Sequence, residues 1–343
     1  MNKKSTSPGE KLDQRKKDHI QLAMDSQILP SMADTRFYYE PLIRAHPGHS
    51  EIPPFYLASK SMRFPLWVSS MTGGTASARE INTRLAKVSK EFGLGMGLGS
   101  CRIILDDDQY FKDFHVRPIL GDETPLFANL GIAQLEQIAK NEDWGKVIRL
   151  ITKLEADGLI IHVNPLQELL QPEGDDISKS PLETIRLALR HLKVPVIVKE
   201  VGQGMGPKSL ESLLRLPLEA IEFAALGGTN FSILELKRAK STAAEEFSAL
   251  SQVGHTAIEM VEMVNIIGAT LKSKMKCKSL IISGGIKNFL DGYHLIQKLN
   301  YPAAYGQASG LLGPARQGYS QLYDYVKGQV RGFQIANNYL EVR

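Results

Sequence analysis

Residues 278–288 read Lys278-Ser-Leu-Ile-Ile-Ser-Gly-Gly-Ile-Lys287-Asn288, an apolar run that ends on a pair of glycines. The pattern returns downstream as Pro302-Ala-Ala-Tyr-Gly306-Gln-Ala-Ser309-Gly-Leu311. Short continuous apolar runs, rather than alternating ones, mark strands buried on both faces of a parallel sheet. Paired glycines let the backbone approach an anion, and a following helix N-terminus points free N–H groups at it. Upstream, the same event is read at residues 65–70, 94–99, 125–130, 158–163, 194–201 and 220–226. Helical patterns fall between most of the runs, at 80–92, 134–139, 144–154, 181–192, 208–216 and 256–271.

About eight strand–helix units close naturally into a barrel, and 343 residues fit the usual ~250 plus insertions. An open doubly wound sheet is the alternative. The barrel is preferred because glycine-rich loops recur at several strand ends and not at one switch point. The expected fold class is therefore α/β, a (β/α)8 TIM barrel with an N-terminal extension. Residues 1–60 would form the extension and 61–343 the barrel. The stretch 229–276 is longer than a simple crossover, so an extra helix or lid is expected there.

Hydrophobic residues make up 43% and charged residues 23%, which is ordinary globular usage. A formal charge of +4 is small for this length and does not indicate a nucleic-acid protein. Cys101 and Cys277 form neither a metal-ligand spacing nor a disulfide framework, which suits a reducing cytoplasm. The opening Met-Asn-Lys-Lys-Ser-Thr-Ser-Pro leads into no apolar stretch, and no run reaches the ~18–20 apolar residues of a membrane span. The chain reads as soluble, intracellular and cytoplasmic.

In a barrel of this kind function gathers where strands end. The loops after the seventh and eighth runs are the recurrent phosphate site of the fold, so two glycine turns at those two places outweigh the plain reading of tight turns. Ala225-Leu-Gly227-Gly228-Thr229-Asn230, after the sixth run, is a third loop of the same kind. After the first run, Ser69-Ser70-Met71-Thr72 offers amides and a hydroxyl to a planar ring; the plain alternative is Thr72 as a helix N-cap. Asn129 follows the third run, and Lys199-Glu200 ends the fifth, where a lysine should point into the mouth. Gly99-Ser100-Cys101-Arg102 presents a hydroxyl and a guanidinium suited to a diphosphate, with Cys101 read as a small buried thiol. The stretch with most chemistry is Leu159-Ile-Ile-His162-Val-Asn164-Pro-Leu-Gln167-Glu168. Alternation puts His162 and Asn164 on one side of the strand, with Gln167 and Glu168 on the loop. A lone carboxylate can hold Mg²⁺ if substrate phosphates complete the oxygen shell. A core histidine followed by a polar loop accounts for the same residues. Near the start, Arg15-Lys16-Lys17-Asp18-His19 is compact and basic, either a solvated tail or an anion clamp.

Taken in order, these pieces resemble type 2 isopentenyl diphosphate isomerase, from Arg15 to about Leu312. The distinctive pair is Arg15-Lys16-x-x-His19 and His162-x-Asn164-x-x-Gln167-Glu168; Ser-Gly-Gly-Ile-Lys is shared more widely among FMN barrels. The resemblance implies interconversion of isopentenyl and dimethylallyl diphosphate with reduced FMN and Mg²⁺, and NAD(P)H as reductant. It implies FMN contacts from Ser70, Met71, Thr72, Ser100, Asn129, Lys199 and Thr229, with Gly285, Ile286, Lys287, Ala308 and Ser309 around the phosphate. Arg15, Lys16, His19, Ser100, Arg102 and Gln167 would meet the substrate. His162, Asn164 and Gln167 would be catalytic, with Gln167 assisting a proton relay to the flavin, and Glu168 would bind Mg²⁺. A homo-oligomer, tetramer or octamer, is expected, with neither nucleic acid nor membrane as partner. One departure stands out: a serine is expected before Gly-Gly-Thr, and the chain reads Phe223-Ala224-Ala225.

The rival is an FMN barrel oxidoreductase of the 2-hydroxy-acid oxidase type, which shares these glycine loops and Lys199. Its chemistry wants a histidine base with a neighbouring arginine after the sixth or seventh strand, and Gly227-Gly228-Thr229-Asn230 supplies neither. Gly99-Ser100-Cys101 is superficially like the IMP dehydrogenase group, whose nucleophile comes from a later loop. A non-catalytic barrel that binds a phosphorylated ligand is the remaining class; the intact His162, Asn164, Gln167 and Glu168 weigh against it.

Overall fold

The computed structural model describes residues 8–49, 52–70, 72–239 and 246–343. Eight parallel strands form a closed barrel: β1 Leu66–Val68, β2 Gly95–Gly97, β3 Leu126–Gly131, β4 Gly158–His162, β5 Val196–Lys199, β6 Ala220–Glu222, β7 Ser279–Ser283 and β8 Ala303–Gln307. Each pairs in parallel with its neighbours in sequence, and β8 closes on β1 through Tyr305–Leu66, Gly306–Trp67 and Gln307–Val68. The expected (β/α)8 barrel is what the chain forms. Every strand falls within one residue of an apolar run or inside it, because a run continues into the buried loop after the ladder has ended.

Two apolar layers hold the barrel. One lies between sheet and helices and contains Leu66, Val68, Leu126, Ala128, Ile161 and Val198 among many others. The second is inside the barrel: Trp67, Phe127, Ile160, Ile197, Ala220, Ile281 and Ala304. Phe55, Leu57 and Met62, from an antiparallel hairpin of Phe55–Leu57 with Lys60–Met62, join this inner cluster. The hairpin plugs the end where the strands begin, since its Ala58 N–H donates to Glu219 Oε1 (2.6 Å), just ahead of β6. Function is thereby left to the other end.

Helices follow the strands largely as expected. Residues 80–92 lie in Ala76–Phe92, whose N-cap is Thr75 and not Thr72: Thr75 Oγ1 accepts from Ala78 N (3.2 Å). Gln167 and Glu168 lie not on a loop but on a short helix, Pro165–Leu170, because Pro165 presets the first helical φ and Asn164 stands ahead of it. Asn129, Leu130 and Gly131 belong to β3 itself. The long stretch after β6 carries the expected extra helix, Phe231–Ala239, ahead of Ala257–Leu271. A feature with no sequence reading is the C-terminal helix Tyr319–Tyr339, whose Phe333 packs edge-on to Phe64 and Tyr293 (ring centroids 5.2 and 5.3 Å). Beyond it, Leu340–Val342 pairs antiparallel with Phe37–Tyr39, tying the segment after the last helix to the stretch ahead of the barrel.

Candidate active site

Side chains in a strand alternate, so the residue two positions after each inward apolar side chain also faces inward, one layer nearer the mouth. Adding two to the inner apolar layer gives Ser69, Asn129, His162, Lys199, Glu222, Ser283 and Gly306. On six of the eight strands the interior thus changes from apolar to polar within one step, while β2 and β8 present glycine.

On the β6–β8 side this layer opens into a cavity of about 350 Å³, within the ~300–1,000 Å³ usual for small-molecule sites. Ser70, Lys199, Thr229, Gly285, Ile286, Lys287, Ala308 and Ser309 all line it, so eight of the residues singled out by sequence come together there. Ser69, Glu222 and Ser283 line it as well: Ser69 and Ser283 stand inside motifs read from the sequence but carried no contact of their own, and Glu222 was in none. The signal for them was the two-residue step from Trp67, Ala220 and Ile281. Gly284, at φ +92°, shows why the cradle is glycine: a Cβ there would stand 2.1 Å from Ala225 O.

The two loops expected to hold phosphate differ. After β7, the helix Phe289–Lys298 is already capped: Asn288 Oδ1 accepts from Leu290 N (2.9 Å) and Asp291 N (3.2 Å), while Asp291 Oδ2 accepts from Lys287 N (2.9 Å). After β8, the helix Ser309–Gln317 has no side-chain cap, so its first-turn amides remain for an anion. Gln307 joins the loops by donating from Nε2 to Ile286 O (3.2 Å), and it is held by Tyr325 O–H donating to its Oε1 (3.1 Å).

Several polar atoms of this cavity have no partner. Ser69 Oγ, Ser70 Oγ and Glu222 Oε2 are buried without a hydrogen bond, whereas Lys199 donates to Glu200 O (2.8 Å). Buried polar groups in folded proteins are nearly always satisfied, so such a cluster asks for a ligand. A glycine cradle beside an uncapped helix, a buried lysine and these orphaned oxygens fit FMN: an anion, a polyol and a planar ring edge.

On the β3–β4 side the polar groups bond to one another, with Asn164 Oδ1 alone left over. Asn129 Nδ2 donates to Leu98 O (3.0 Å), which turns its Oδ1 towards His162. His162 Nδ1 therefore carries the proton that it gives to Asn129 Oδ1 (2.9 Å), and Nε2 keeps its lone pair. Burial, with Lys199 adding, pushes the His162 pKa down to about 3, so the ring is neutral at physiological pH. His162 does not share partners with Asn164. The buried Asn164 instead donates from Nδ2 to Gln167 Oε1 (3.0 Å) and Glu168 Oε1 (2.9 Å). Glu168 Oε2 also accepts from Gln171 Nε2 (2.6 Å) and Asp175 N (2.9 Å). Arg102 grips Asp175 (2.6 Å), so its guanidinium joins the same network. Gln167 Nε2 donates to Glu235 Oε1 (3.2 Å), and Glu235 pairs with Arg238. Glu235, Arg238 and Asp175 are site residues that sequence reading did not find; the first two stand on the helix Phe231–Ala239 and the third follows the short helix Pro165–Leu170, and only folding brings the two segments together.

Glu168 offers hard oxygen ligands, and buried Asn164 Oδ1 beside it has no partner. That donor set fits Mg²⁺ completed by water and phosphate oxygens; among the described residues no group of three or more His, Cys, Asp or Glu forms an all-protein metal site.

The remaining expected residues lie apart. Arg15, Lys16 and His19 stand exposed on the helix Pro8–Leu22, with no hydrogen bond or ion pair to the barrel among the described residues. Ser100 is exposed, and Thr72 uses its carbonyl to accept from Asn82 Nδ2 (3.3 Å). Met71 lies outside the described residues. Cys101 is fully buried with its thiol pushed up to about 12 by burial, as a structural thiol should be.

No family model matches the chain. Curated relatives do match it. Isopentenyl-diphosphate delta-isomerase of Rickettsia peacockii (strain Rustic) is 35% identical over 289 residues, covering 83% of this chain and 81% of the relative. The protein of the same name from Rickettsia typhi (strain ATCC VR-144 / Wilmington) is 34% identical over the same coverage. Among solved structures, a flavocytochrome b2 variant with benzoylformate matches at TM-score 0.61 and 11% identity, covering 89% of this chain and 76% of that one. A mandelate oxidase variant with a monooxide FMN adduct matches at TM-score 0.53 and 11% identity, covering 88% and 82%. At that identity these two likenesses carry the barrel fold alone.

Proposed function

The chain belongs to the isopentenyl-diphosphate delta-isomerase family and is an enzyme of that kind; on that premise we propose that it is the flavin-dependent, type 2 form. It interconverts isopentenyl and dimethylallyl diphosphate with reduced FMN and Mg²⁺, and NAD(P)H keeps the flavin reduced. The observation that carries this reading is the adjacency of two unlike sites in one mouth: a glycine-lined cavity with orphaned oxygens, and the Asn164–Gln167–Glu168 network.

Moving the double bond adds a proton at one carbon and removes another from a neighbouring carbon. Reduced FMN, when bound, supplies an electron-rich ring that can hold a proton and stabilise cationic charge. Ser70, Thr72, Asn129, Lys199 and Thr229 hold the ring and chain, together with Met71 and Ser100. Gly285, Ile286, Ala308 and Ser309 receive the phosphate with the amides of the uncapped helix. Lys287 contributes its side chain, since its own N–H is committed to Asp291.

Glu168 would hold Mg²⁺, which would supply positive charge for the diphosphate, and Arg102 meets the same anion after giving up part of its grip on Asp175. Arg15, Lys16 and His19, on the extension formed by residues 1–60, close over it from outside. Gln167 is tied to Asn164 and Glu235, and this fixes its amide where it can pass a proton along a relay. His162 is neutral, with an Nε2 lone pair that accepts a hydrogen bond and does not bring a positive charge to the carbocation face. A Gln167→Ala protein with near-normal isomerisation removes Gln167 from this scheme.

No helix among the described residues is long and apolar enough to cross a membrane. We place the enzyme in the cytoplasm as a homo-oligomer. Exposed Ile20, Met24, Ile28 and Leu29 on the N-terminal arm support a covering partner subunit.

The deciding assay is anaerobic turnover of isopentenyl diphosphate with FMN, Mg²⁺ and reductant each omitted in turn. Product is expected only from the complete mixture. Turnover without flavin sinks the type 2 reading, and oxidation of a 2-hydroxy acid replaces it with the oxidase.

A further inference from the structure

Glu222 is the one acidic side chain of the polar layer inside the barrel, and it is 1% exposed. Its Oε1 accepts from Ser283 Oγ (3.2 Å). Ser283 Oγ in turn accepts from Ala224 N (2.9 Å), so its own proton is free to go to the carboxylate. Oε2 has no partner at all, although Glu222 lines the cavity. Lys199, its register neighbour on β5, donates to Glu200 O, and no ion pair joins it to Glu222 among the described residues. A buried carboxylate oxygen left without a donor is costly, so the site is complete only when a ligand supplies one.

Position decides which part of a ligand that is. Glu222 lies one layer below the glycine cradle that receives phosphate, and on the same layer as Ser69 and Lys199, where a ring edge would rest. Phosphate against a carboxylate is repelled. The portion of a flavin mononucleotide between ring and phosphate is a sugar-alcohol chain, whose hydroxyls are hydrogen-bond donors.

We propose that Glu222 binds this chain, its free oxygen accepting from one or two ribityl hydroxyls while Ser283 holds the other oxygen. The assignment rests on the flavin reading above and names a residue for it that neither the sequence motifs nor the resemblance supplied. In a chain that has Ala224 where a hydroxyl is expected, Glu222 provides a polar contact from the same strand end.

The test uses flavin-stripped full-length protein and titrates three probes by fluorescence quenching: FMN, riboflavin and lumiflavin, which lacks the polyol. Losing one charge-assisted hydrogen bond should weaken FMN and riboflavin binding by roughly 10–100-fold in Glu222→Ala, with lumiflavin affinity unchanged. Glu222→Gln keeps an acceptor oxygen and should lose less. If Glu222→Ala does not fold by circular dichroism, Glu222→Gln carries the same comparison of polyol against no polyol. Equal losses for lumiflavin and FMN, or no loss for FMN, overturn the proposal. Wild-type protein that takes up none of the three probes overturns the flavin reading itself, an outcome separate from any effect of the substitution.

Discussion

The two halves of the barrel mouth handle buried polarity in opposite ways. Around β6–β8 the backbone is bare and the oxygens of Ser69, Ser70 and Glu222 lack partners. Around β3 and β4, His162 bonds to Asn129 and Asn164 bonds to Gln167 and Glu168, with Asn164 Oδ1 alone lacking a partner. The first half is shaped for a resident group that stays and supplies the missing bonds. On the function proposed above, the second meets the transient substrate: Asn164, Gln167 and Glu168 hold one another in position between turnovers. Preorganisation of this kind keeps the reacting groups in place without a reorganisation cost at the moment of reaction.

The largest effect should come from breaking the bare half. Gly284→Ala puts a Cβ 2.1 Å from Ala225 O at φ +92°, where neither backbone can yield. Backbone strain alone costs about 1–3 kcal/mol. The variant is expected to melt lower and to purify without flavin. Gly313, with nothing within 4 Å of its Cβ, is the control: Gly313→Ala should hold or raise the melting temperature. Full flavin occupancy in Gly284→Ala would mean that the cradle does not seat the phosphate.

Next in size is a break in the bonded half alone. Glu168→Ala should lower isomerisation by about 10²–10³-fold, the scale of a lost metal contact to the diphosphate, while FMN affinity stays at the wild-type value. If both fall together, the two halves are not separable and Glu168 acts through the fold.

A smaller effect sharpens the contrast through pH. His162 is pushed down to about 3 from an ordinary 6.5. A folded pKa below the unfolded one means that the unfolded chain binds the proton more readily. The neutral ring's contribution is therefore complete above about pH 6.5 and is lost progressively as pH falls towards 3. Urea denaturation across that window should show stability declining with acid, and His162→Asn should flatten part of the slope. A slope unchanged by the substitution would assign the acid sensitivity to other groups.

Much of this was legible in the sequence for a physical reason. Apolar runs read strands well because every barrel strand is buried on both faces, and the glycine pairs read the loops that line the cavity because only glycine fits φ +92° at Gly284. What escaped has non-local causes. Glu222 and Ser283 look like ordinary strand residues until the inward face is fixed by Trp67, Phe127 and Ile160. Glu235 joins Gln167 from a helix 68 residues away, and Asp175 reaches Glu168 only because the chain folds back after the short helix Pro165–Leu170. Asn164 and His162, two residues apart, were expected to act together, but the strand ends between them and Asn164 turns to the helix that begins at Pro165.

The smallest expected effect concerns a residue that lies at the bonded half and takes no part in it. Cys101 follows Ser100 in the loop that presents Arg102, a place where a reactive thiol would argue for covalent chemistry. Its N–H donates to Asn129 O (2.8 Å), so its backbone supports the His162 partner, while its Sγ faces Gly99 O (3.4 Å). Burial raises the thiol to about 12, and Cys277 to about 12 as well. Only the thiolate attacks an alkylating agent, so at pH 8 neither side chain has an appreciable reactive fraction. Native protein incubated with iodoacetamide should remain unmodified by mass spectrometry and keep full activity; the same protein in denaturant should gain two adducts. Fast labelling of the native enzyme at Cys101, with loss of activity, would turn that loop from a support for the bonded half into a nucleophile and reopen the reaction class.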